Sequence, residues 1–250
     1  MVLSDFRYRL RRFLYQEFIP VTKTVAIITG VLFLLSFIRS LNFIFDLLYL
    51  IPSTGFLKPW TLVTYPFAVN QDILSVVFGV LWFWMVGGSL ERSWGSRTYG
   101  LFLFLVTLVT GVAMSLLGLL NLAGNFPVNG LWLPLVGLTW AWAAIGPDQE
   151  VLFMVVIPMK ARVLAWIEAI ITFLIYFQMG SASLVNYSLI KGLLAGLASI
   201  SGIAVTYLFT GKGPLSRGYR YWAWKRKAAP KGRGDQKNRR TGRGRLRVIK

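Results

Sequence analysis

The sequence predicts an all-α, polytopic membrane protein built as a bundle of six helices. Of its 250 residues, 56% are apolar and only 14% are charged, whereas soluble domains carry about 25% charged residues. Several apolar stretches approach the roughly 20 residues that a helix needs to cross a bilayer core of about 30 Å. Helices are expected because a helix satisfies its own backbone hydrogen bonds in lipid.

Six apolar segments are expected to cross the membrane. Residues 98–147 contain no charge but are too long for one helix, and the Asn, Gly and Pro residues between 121 and 130 divide them into two spans. Asp72 is well placed to cap the start of the second span. The predicted spans, within a membrane domain of residues 21–210, are residues 21–38, 73–90, 98–120, 131–146, 163–179 and 187–210.

Two further segments are predicted to lie along the membrane surface. Residues 41–51 are apolar, but a length of 11 residues with Asp46 in the middle favours an interfacial helix over a seventh span. Residues 1–20 are predicted as an interfacial amphipathic segment, because apolar residues recur at helical spacing between arginines. The alternative for them is a disordered basic leader. No small-residue cleavage site follows the first span, so no cleaved signal is expected.

The distribution of lysine and arginine predicts that both termini are cytoplasmic. With the N-terminus inside, 24 of the 27 basic residues fall in cytoplasmic segments. Arg39 and Lys58 fall outside, and Lys191 lies within a span. Because cytoplasmic loops carry the excess of basic residues, this orientation is strongly favoured. An even number of spans also requires the two termini to share one side.

The C-terminal tail, residues 211–250, holds 15 of the basic residues against one acid, Asp235. Its glycine-rich, like-charged composition predicts disorder. Each basic residue near an anionic leaflet contributes about 1 kcal/mol, so we expect the tail to bind anionic lipid headgroups. The same composition also suits phosphates, which leaves RNA or the ribosome as an alternative partner and a membrane tether as an alternative function.

The absence of cysteine and histidine excludes several classes of site. The chain can form no disulfide, no Ser–His or Cys–His catalytic pair, no two-histidine zinc site and no haem held by imidazole. No cofactor and no metal are therefore expected. An aspartyl intramembrane protease is also excluded, because all five aspartates lie outside the predicted spans: Asp5, Asp46, Asp72, Asp148 and Asp235.

Three separated stretches carry a resemblance to a known family. Residues 58–67 read KPWTLVTYPF, residues 88–96 read GSLERSWGS, and residues 192–196 read GLLAG. They resemble, in order, the tryptophan-led first outer loop, the Glu-x-x-Trp-Gly turn after the second helix and the small-residue face of the sixth helix of the rhomboid superfamily. The residues that carry this resemblance are Trp60, Glu91, Arg92, Trp94, Gly95, Gly192 and Gly196, with Gly137 discussed below.

These motif residues also have structural interpretations. Trp94 suits the interfacial aromatic belt, and Glu91 can pair with Arg92, with Arg97 or with backbone donors in a tight turn. Gly192 and Gly196 let another helix approach closely. The resemblance implies that this partner is the fourth helix, since in rhomboids that contact brings the catalytic pair together.

The sequence departs from the family at the catalytic positions. Active rhomboids carry Gly-x-Ser-Gly on the fourth helix and a histidine on the sixth. Here the matching stretch is Gly137-Leu-Thr139-Trp140, and Leu189 stands at the histidine position within a residue or two. Trp140 is expected to fill the space that the second glycine leaves open. Since a hydroxyl without a base is a poor nucleophile, the resemblance implies a non-catalytic pseudoprotease, similar to derlins, that binds or remodels client transmembrane segments.

Two buried charges leave alternatives open. At about 1.5 Å per residue, Lys191 lies about 6 Å and Thr139 about 12 Å below the outer face. A non-standard protease pair, Thr139 with Lys191, is therefore conceivable, although Lys191 can instead extend its amine to the headgroups. Glu168 is expected to bond a hydroxyl on a neighbouring span or to be neutral, and the alternative is a role in client binding or proton handling. The compact chain without a transit peptide suggests a bacterial plasma membrane.

Overall fold

The computed structural model describes residues 19–69, 72–122, 125–146, 150–153, 157–181 and 188–210, and the structural statements below concern these residues. The predicted N-terminal amphipathic segment before residue 19 and the basic tail lie outside them. Short 3-10 turns at Arg39–Leu41 and Tyr65–Phe67 flank the small helices of the first loop. The helices are α1 (Pro20–Leu35), α2 (Asn42–Leu48), α3 (Thr61–Thr64), α4 (Ile73–Trp94), α5 (Ser96–Leu119), α6 (Trp132–Ile145), α7 (Ala161–Ser181), α8 (Leu189–Ser199) and α9 (Gly202–Thr210).

Each of the six predicted spans contains a helix, but the helices differ in length. Helices α4, α5 and α7 and the pair α8–α9 are long and apolar enough to cross a membrane. Helix α1 is long and apolar enough only when it is counted together with Arg39–Leu48, and the two segments are bent by 120° relative to each other. Helix α6 has 14 residues, or about 21 Å, which is shorter than a bilayer core. The chain is thus a multi-pass membrane protein with four candidate spans in its described part, or five with the bent pair, and six crossings stay a prediction.

The helix ends agree with the sequence prediction at the break after residue 119 and around Asp46, but one predicted side-chain role is wrong. The uncharged stretch breaks where the Asn and Gly residues predicted, since α5 ends at Leu119 and Asn121 adopts a positive φ of 55°. The segment around Asp46 forms the short helix α2 rather than a long span. Asp72 occupies the N-cap position of α4, but its side chain makes no capping hydrogen bond. The predicted role of its carboxylate is therefore wrong.

A small β-hairpin departs from the all-helical prediction. Strand β1 (Glu150–Phe153) pairs with β2 (Ile157–Lys160) in an antiparallel register that sets Glu150 opposite Lys160. The run from residue 150 to residue 160 is rich in Val and Ile, which favour extended backbone. It is also too short to form a span between α6 and α7, so a local hairpin is the structure it can form.

Helix α6 is the centre of the bundle. Ten of its residues are buried, and it packs against α4, α5, α7 and α9. Leu135 and Leu138 belong to a core with Phe83, Phe102 and Val106 from α4 and α5. A second cluster joins Leu133 of α6 to the first loop and to α5 and α7, through residues that include Leu50, Tyr65, Met114 and Tyr176. Both Gly137 and Thr139 therefore face protein rather than lipid.

The first loop, residues 36–69, rests on a face of small residues on α5. A Cβ atom added to Gly111 would lie 2.6 Å from the Leu62 carbonyl oxygen, and one added to Gly118 would overlap the backbone of Pro52. The Tyr65 hydroxyl donates to the Thr107 carbonyl oxygen at 3.3 Å. Because backbone replaces side chains at this contact, the loop lies close to α5 and its position is fixed there.

We predict that Gly111→Ala destabilises the protein, whereas Gly30→Ala does not. The first methyl group would overlap the Leu62 backbone, and such overpacking costs about 1–3 kcal/mol. Gly30 of α1 has no atom within 4 Å of an added Cβ, and alanine favours a helix over glycine by up to about 1 kcal/mol. The measurement is reversible unfolding in mixed micelles with sodium dodecyl sulfate. Equal stability of the two variants would show that the loop is not seated on Gly111.

Candidate functional site

The Glu91 carboxylate caps the N-terminus of α1. One oxygen accepts from the Val21 amide at 2.9 Å, and the other accepts from the Thr22 amide and hydroxyl at 2.8 Å each. The first amides of a helix have no partner within it, and a negative charge is favourable at that end. The sequence predicted Arg92, Arg97 or backbone donors in a tight turn as partners of Glu91. The backbone donors that the structure shows lie at the start of a helix about 70 residues away in the chain.

Trp94 and Gly95 form the corner that joins α4 to α5. Gly95 has φ 81° and ψ 151°, a conformation that residues with a Cβ rarely adopt. Trp94 is buried, meets the Phe102 ring edge-on at 5.0 Å and stacks on Phe209 of α9 at 5.9 Å. The predicted place of Trp94 in an interfacial belt is therefore wrong, since α4 continues past residue 90 and carries this indole into the core. Arg92, by contrast, is exposed.

Trp60, the tryptophan of the first motif, holds the first loop together. Its indole nitrogen donates to the Leu47 carbonyl oxygen at 3.1 Å, which ties the end of α2 to the start of α3. About half of its side chain stays exposed. Trp60 is thus both an internal anchor and part of the apolar surface of this loop.

Thr139, at the position of the rhomboid nucleophile, is completely buried. The indole nitrogen of Trp82 on α4 donates to its hydroxyl oxygen at 3.0 Å. The Trp82 ring in turn meets Trp142 of α6 edge-on at 6.5 Å. The hydroxyl oxygen is therefore occupied by an indole donor and lies under aromatic rings.

Glu168 of α7 turns its carboxyl group into the bundle beside Thr139. Both carboxyl oxygens are buried, and neither makes a hydrogen bond of good geometry in the described part of the chain. Thr139 and Trp82 are nevertheless close enough to interact with this group, Thr139 more strongly. The expected hydroxyl on a neighbouring span is thus present, although the hydrogen bond is not closed. Sequence reasoning missed Trp82, since a tryptophan in a lipid-exposed helix carries no signal that its N–H points inward.

The other residues considered for catalysis lie elsewhere. Leu189, at the histidine position, is the first residue of α8 and is 59% exposed. Lys191 is half-buried one turn into the same helix, where its amide donates to the Ser188 hydroxyl at 3.4 Å. Helix α8 packs mainly on α7 and α5, and α6 packs on α9 instead. The polar groups found around Thr139 are those of α4 and α7, so its pairing with Lys191 stays a prediction.

The glycine pair of the sixth span contacts a different helix from the one expected. A Cβ atom on Gly192 would lie 2.7 Å from the Phe177 carbonyl oxygen, and one on Gly196 would lie 2.7 Å from the Phe173 ring. Both partners belong to α7, the fifth predicted span, so the predicted contact with the fourth is wrong. The close approach to α6 comes one helix later, since a Cβ on Gly137 would lie 3.3 Å from the Gly202 carbonyl oxygen. Side-chain size alone does not say which neighbour a glycine face meets.

Trp140 also differs from its expected position. It is half-buried and meets Trp166 of α7 edge-on, with ring centroids 4.8 Å apart. Trp166 is itself more than half exposed. Trp140 thus packs at the edge of the α6–α7 interface, and the ring that covers Thr139 is that of Trp82.

Comparison with known proteins assigns a context to this arrangement. Residues 23–212 match the family described as "Eukaryotic integral membrane protein (DUF1751)". A 66-residue stretch is 34% identical to Protein pdh1 of Schizosaccharomyces pombe, covering 26% of this chain and 29% of that protein. A 147-residue stretch is 24% identical to Rhomboid protease GlpG of Yersinia pestis, covering 58% and 48%. The chain therefore spans less than half the length of these relatives. The sequence suggested a bacterial plasma membrane. Because the matching family is eukaryotic, that expectation is not supported.

We predict that Glu91→Ala lowers the free energy of unfolding by about 2–3 kcal/mol, because it leaves a buried amide, a half-buried amide and a hydroxyl without their acceptor. Glu91→Gln should cost less, since it keeps one acceptor oxygen. Hydrogen exchange at Val21 and Thr22, combined with unfolding in mixed micelles, measures both effects. Thr22→Val is the matched control because it removes only the hydroxyl bond, one of the three. Unchanged exchange at these amides in Glu91→Ala would contradict the capping role.

Proposed function

Because the chain belongs to this family of eukaryotic integral membrane proteins within the rhomboid superfamily, we propose that it is a pseudoprotease that binds or remodels client transmembrane segments. The observation that carries the proposal is the state of the nucleophile position. Thr139 stands there fully buried, and the Trp82 indole donates to its hydroxyl.

The chemistry of proteolysis also argues for a non-catalytic role. A hydroxyl nucleophile needs an adjacent base, and acid–base help contributes about 10²–10⁴ in rate. The chain contains no histidine. The Thr139 hydroxyl is buried and its oxygen accepts from the Trp82 indole, so it is not arranged as a nucleophile. A fold without turnover leaves recognition as the use of the rhomboid architecture.

Two surfaces support recognition of membrane segments. The first loop exposes large apolar side chains, among them Leu57 at 79% exposure and Trp60 at 49%. The partly exposed Glu168 of α7 carries a carboxyl group within a membrane helix, which suits client helices that are themselves weakly hydrophobic. The basic residues favour an orientation with both termini in the cytoplasm and six crossings, which would set the first loop on the opposite side.

The proposal is tested by incubating the purified chain in proteoliposomes with a labelled transmembrane substrate. We expect the substrate to cross-link to the chain and to remain uncleaved. Rhomboid protease GlpG of Yersinia pestis, prepared in the same way, serves as the positive control for cleavage. Cleavage by this chain that is lost on Thr139→Ala or Lys191→Ala would overturn the proposal in favour of a protease that uses this pair. Absence of both cleavage and cross-linking would also overturn it.

A further inference from the structure

Glu168 is an acidic side chain inside a membrane helix, with no hydrogen bond to account for it. It is the eighth residue of α7, which places it about 10 Å along the helix. Neither carboxyl oxygen is solvated or hydrogen-bonded within the described residues. Acidic residues inside membrane spans are rare and commonly mark a functional site, because charge in a low-dielectric medium needs a partner.

The side chains around Glu168 can supply only some of the hydrogen bonds that its carboxyl group can accept. Thr139 and Trp82 approach the carboxyl group from α6 and α4. The Trp82 N–H, however, already donates to the Thr139 hydroxyl oxygen. Thr139 has one hydroxyl proton to offer, whereas a carboxylate can accept about four hydrogen bonds. The site therefore has spare acceptor capacity and no positive charge among the residues found around it.

Glu168 also lies at the boundary between protein and lipid. On α7 the face that includes Ala165, Ala169 and Thr172 is buried, whereas Ile167 and Ile171 are exposed. Glu168 lies between these faces, so its stem is partly exposed while its carboxyl points inward. Helices α4 and α7 each pack along α6. A helix that docks beside α7 would contact the partly exposed side chain of Glu168.

We propose that Glu168 selects client transmembrane segments that carry a lysine or arginine near the middle of the membrane. This inference rests on the proposed function and names the class of client. A basic residue is expensive in lipid on its own, and a carboxylate with free acceptor positions offsets that cost. An ammonium or guanidinium group supplies several donors together with the opposite charge. An apolar or acidic residue at the same depth supplies neither.

The inference is tested with three synthetic 21-residue helices of leucine and alanine that carry Lys, Leu or Glu at the central position. The full chain is reconstituted in phosphatidylcholine vesicles, and association is measured by energy transfer between labels as the protein-to-lipid ratio varies. We expect the Lys helix to associate about tenfold more strongly than the Leu helix, a difference of about 1.4 kcal/mol. The Glu helix should associate no better than the Leu helix.

The variant Glu168→Gln keeps the shape of the side chain and removes its charge, and it should abolish the preference for lysine. Ile171→Gln, which places the same amide on the exposed face of α7 one turn away, is the matched control and should keep the preference. Since the comparison of Lys and Leu helices is also made on the unmodified chain, a folding defect in the variant does not decide the outcome.

Three results would overturn the inference. Equal association of the Lys and Leu helices would show that Glu168 serves only the packing of the bundle, and client binding itself would stand. A preference for the Lys helix that survives in Glu168→Gln would show that the client lysine binds at another site. Failure of all three helices to associate with the unmodified chain would remove the proposed function together with this inference.

Discussion

The Glu91 carboxylate joins two helices that are far apart in the chain, and the arrangement of the rest depends on it. It lies in the last turn of α4 and caps the start of α1, so the first helix is positioned by the end of the fourth. Immediately after it, Trp94 binds the same corner to α5 and α9, and Gly95 reverses the chain in one residue. The Glu-x-x-Trp-Gly motif is therefore a junction of four helices. A charge that would be costly in lipid is acceptable here because three donors meet it.

Around this junction the bundle is assembled by close backbone contacts. Lipid gives helices no hydrophobic reason to associate, so van der Waals contact and polar bonds must hold them together. Gly111 of α5 lets the backbone of the first loop approach closely. Gly137 and Gly202 do the same between α6 and α9, and Gly196 does so between α8 and α7. With α6 enclosed on several sides, the position of the family's nucleophile is part of a packed core. That enclosure, together with the indole on Thr139, supports the proposed non-catalytic function.

Sequence reasoning predicted the helices well because hydropathy and charge act locally along the chain. The break after Leu119 and the short helix around Asp46 follow from turn formers and segment length. The partners of individual residues depend on rotation and tilt, which hydropathy does not encode. For this reason the sequence does not predict that Gly192 and Gly196 meet α7, or that Glu91 caps a helix about 70 residues away. The resemblance identified Thr139, but only the fold places Trp82 and Glu168 beside it.

The break between α8 and α9 divides the sixth predicted span between two main neighbours. Before Ile200 the span packs chiefly on α7, from Gly202 it packs chiefly on α6, and both parts contact α5. Sequence change in this family should therefore be correlated in two separate sets. Replacement of Gly196 by a larger residue has to be compensated at Phe173, whereas replacement of Gly202 has to be compensated at Val106 or Thr110. The residues tolerated along this stretch of 22 residues are therefore limited by one neighbouring helix before the break and by other helices after it.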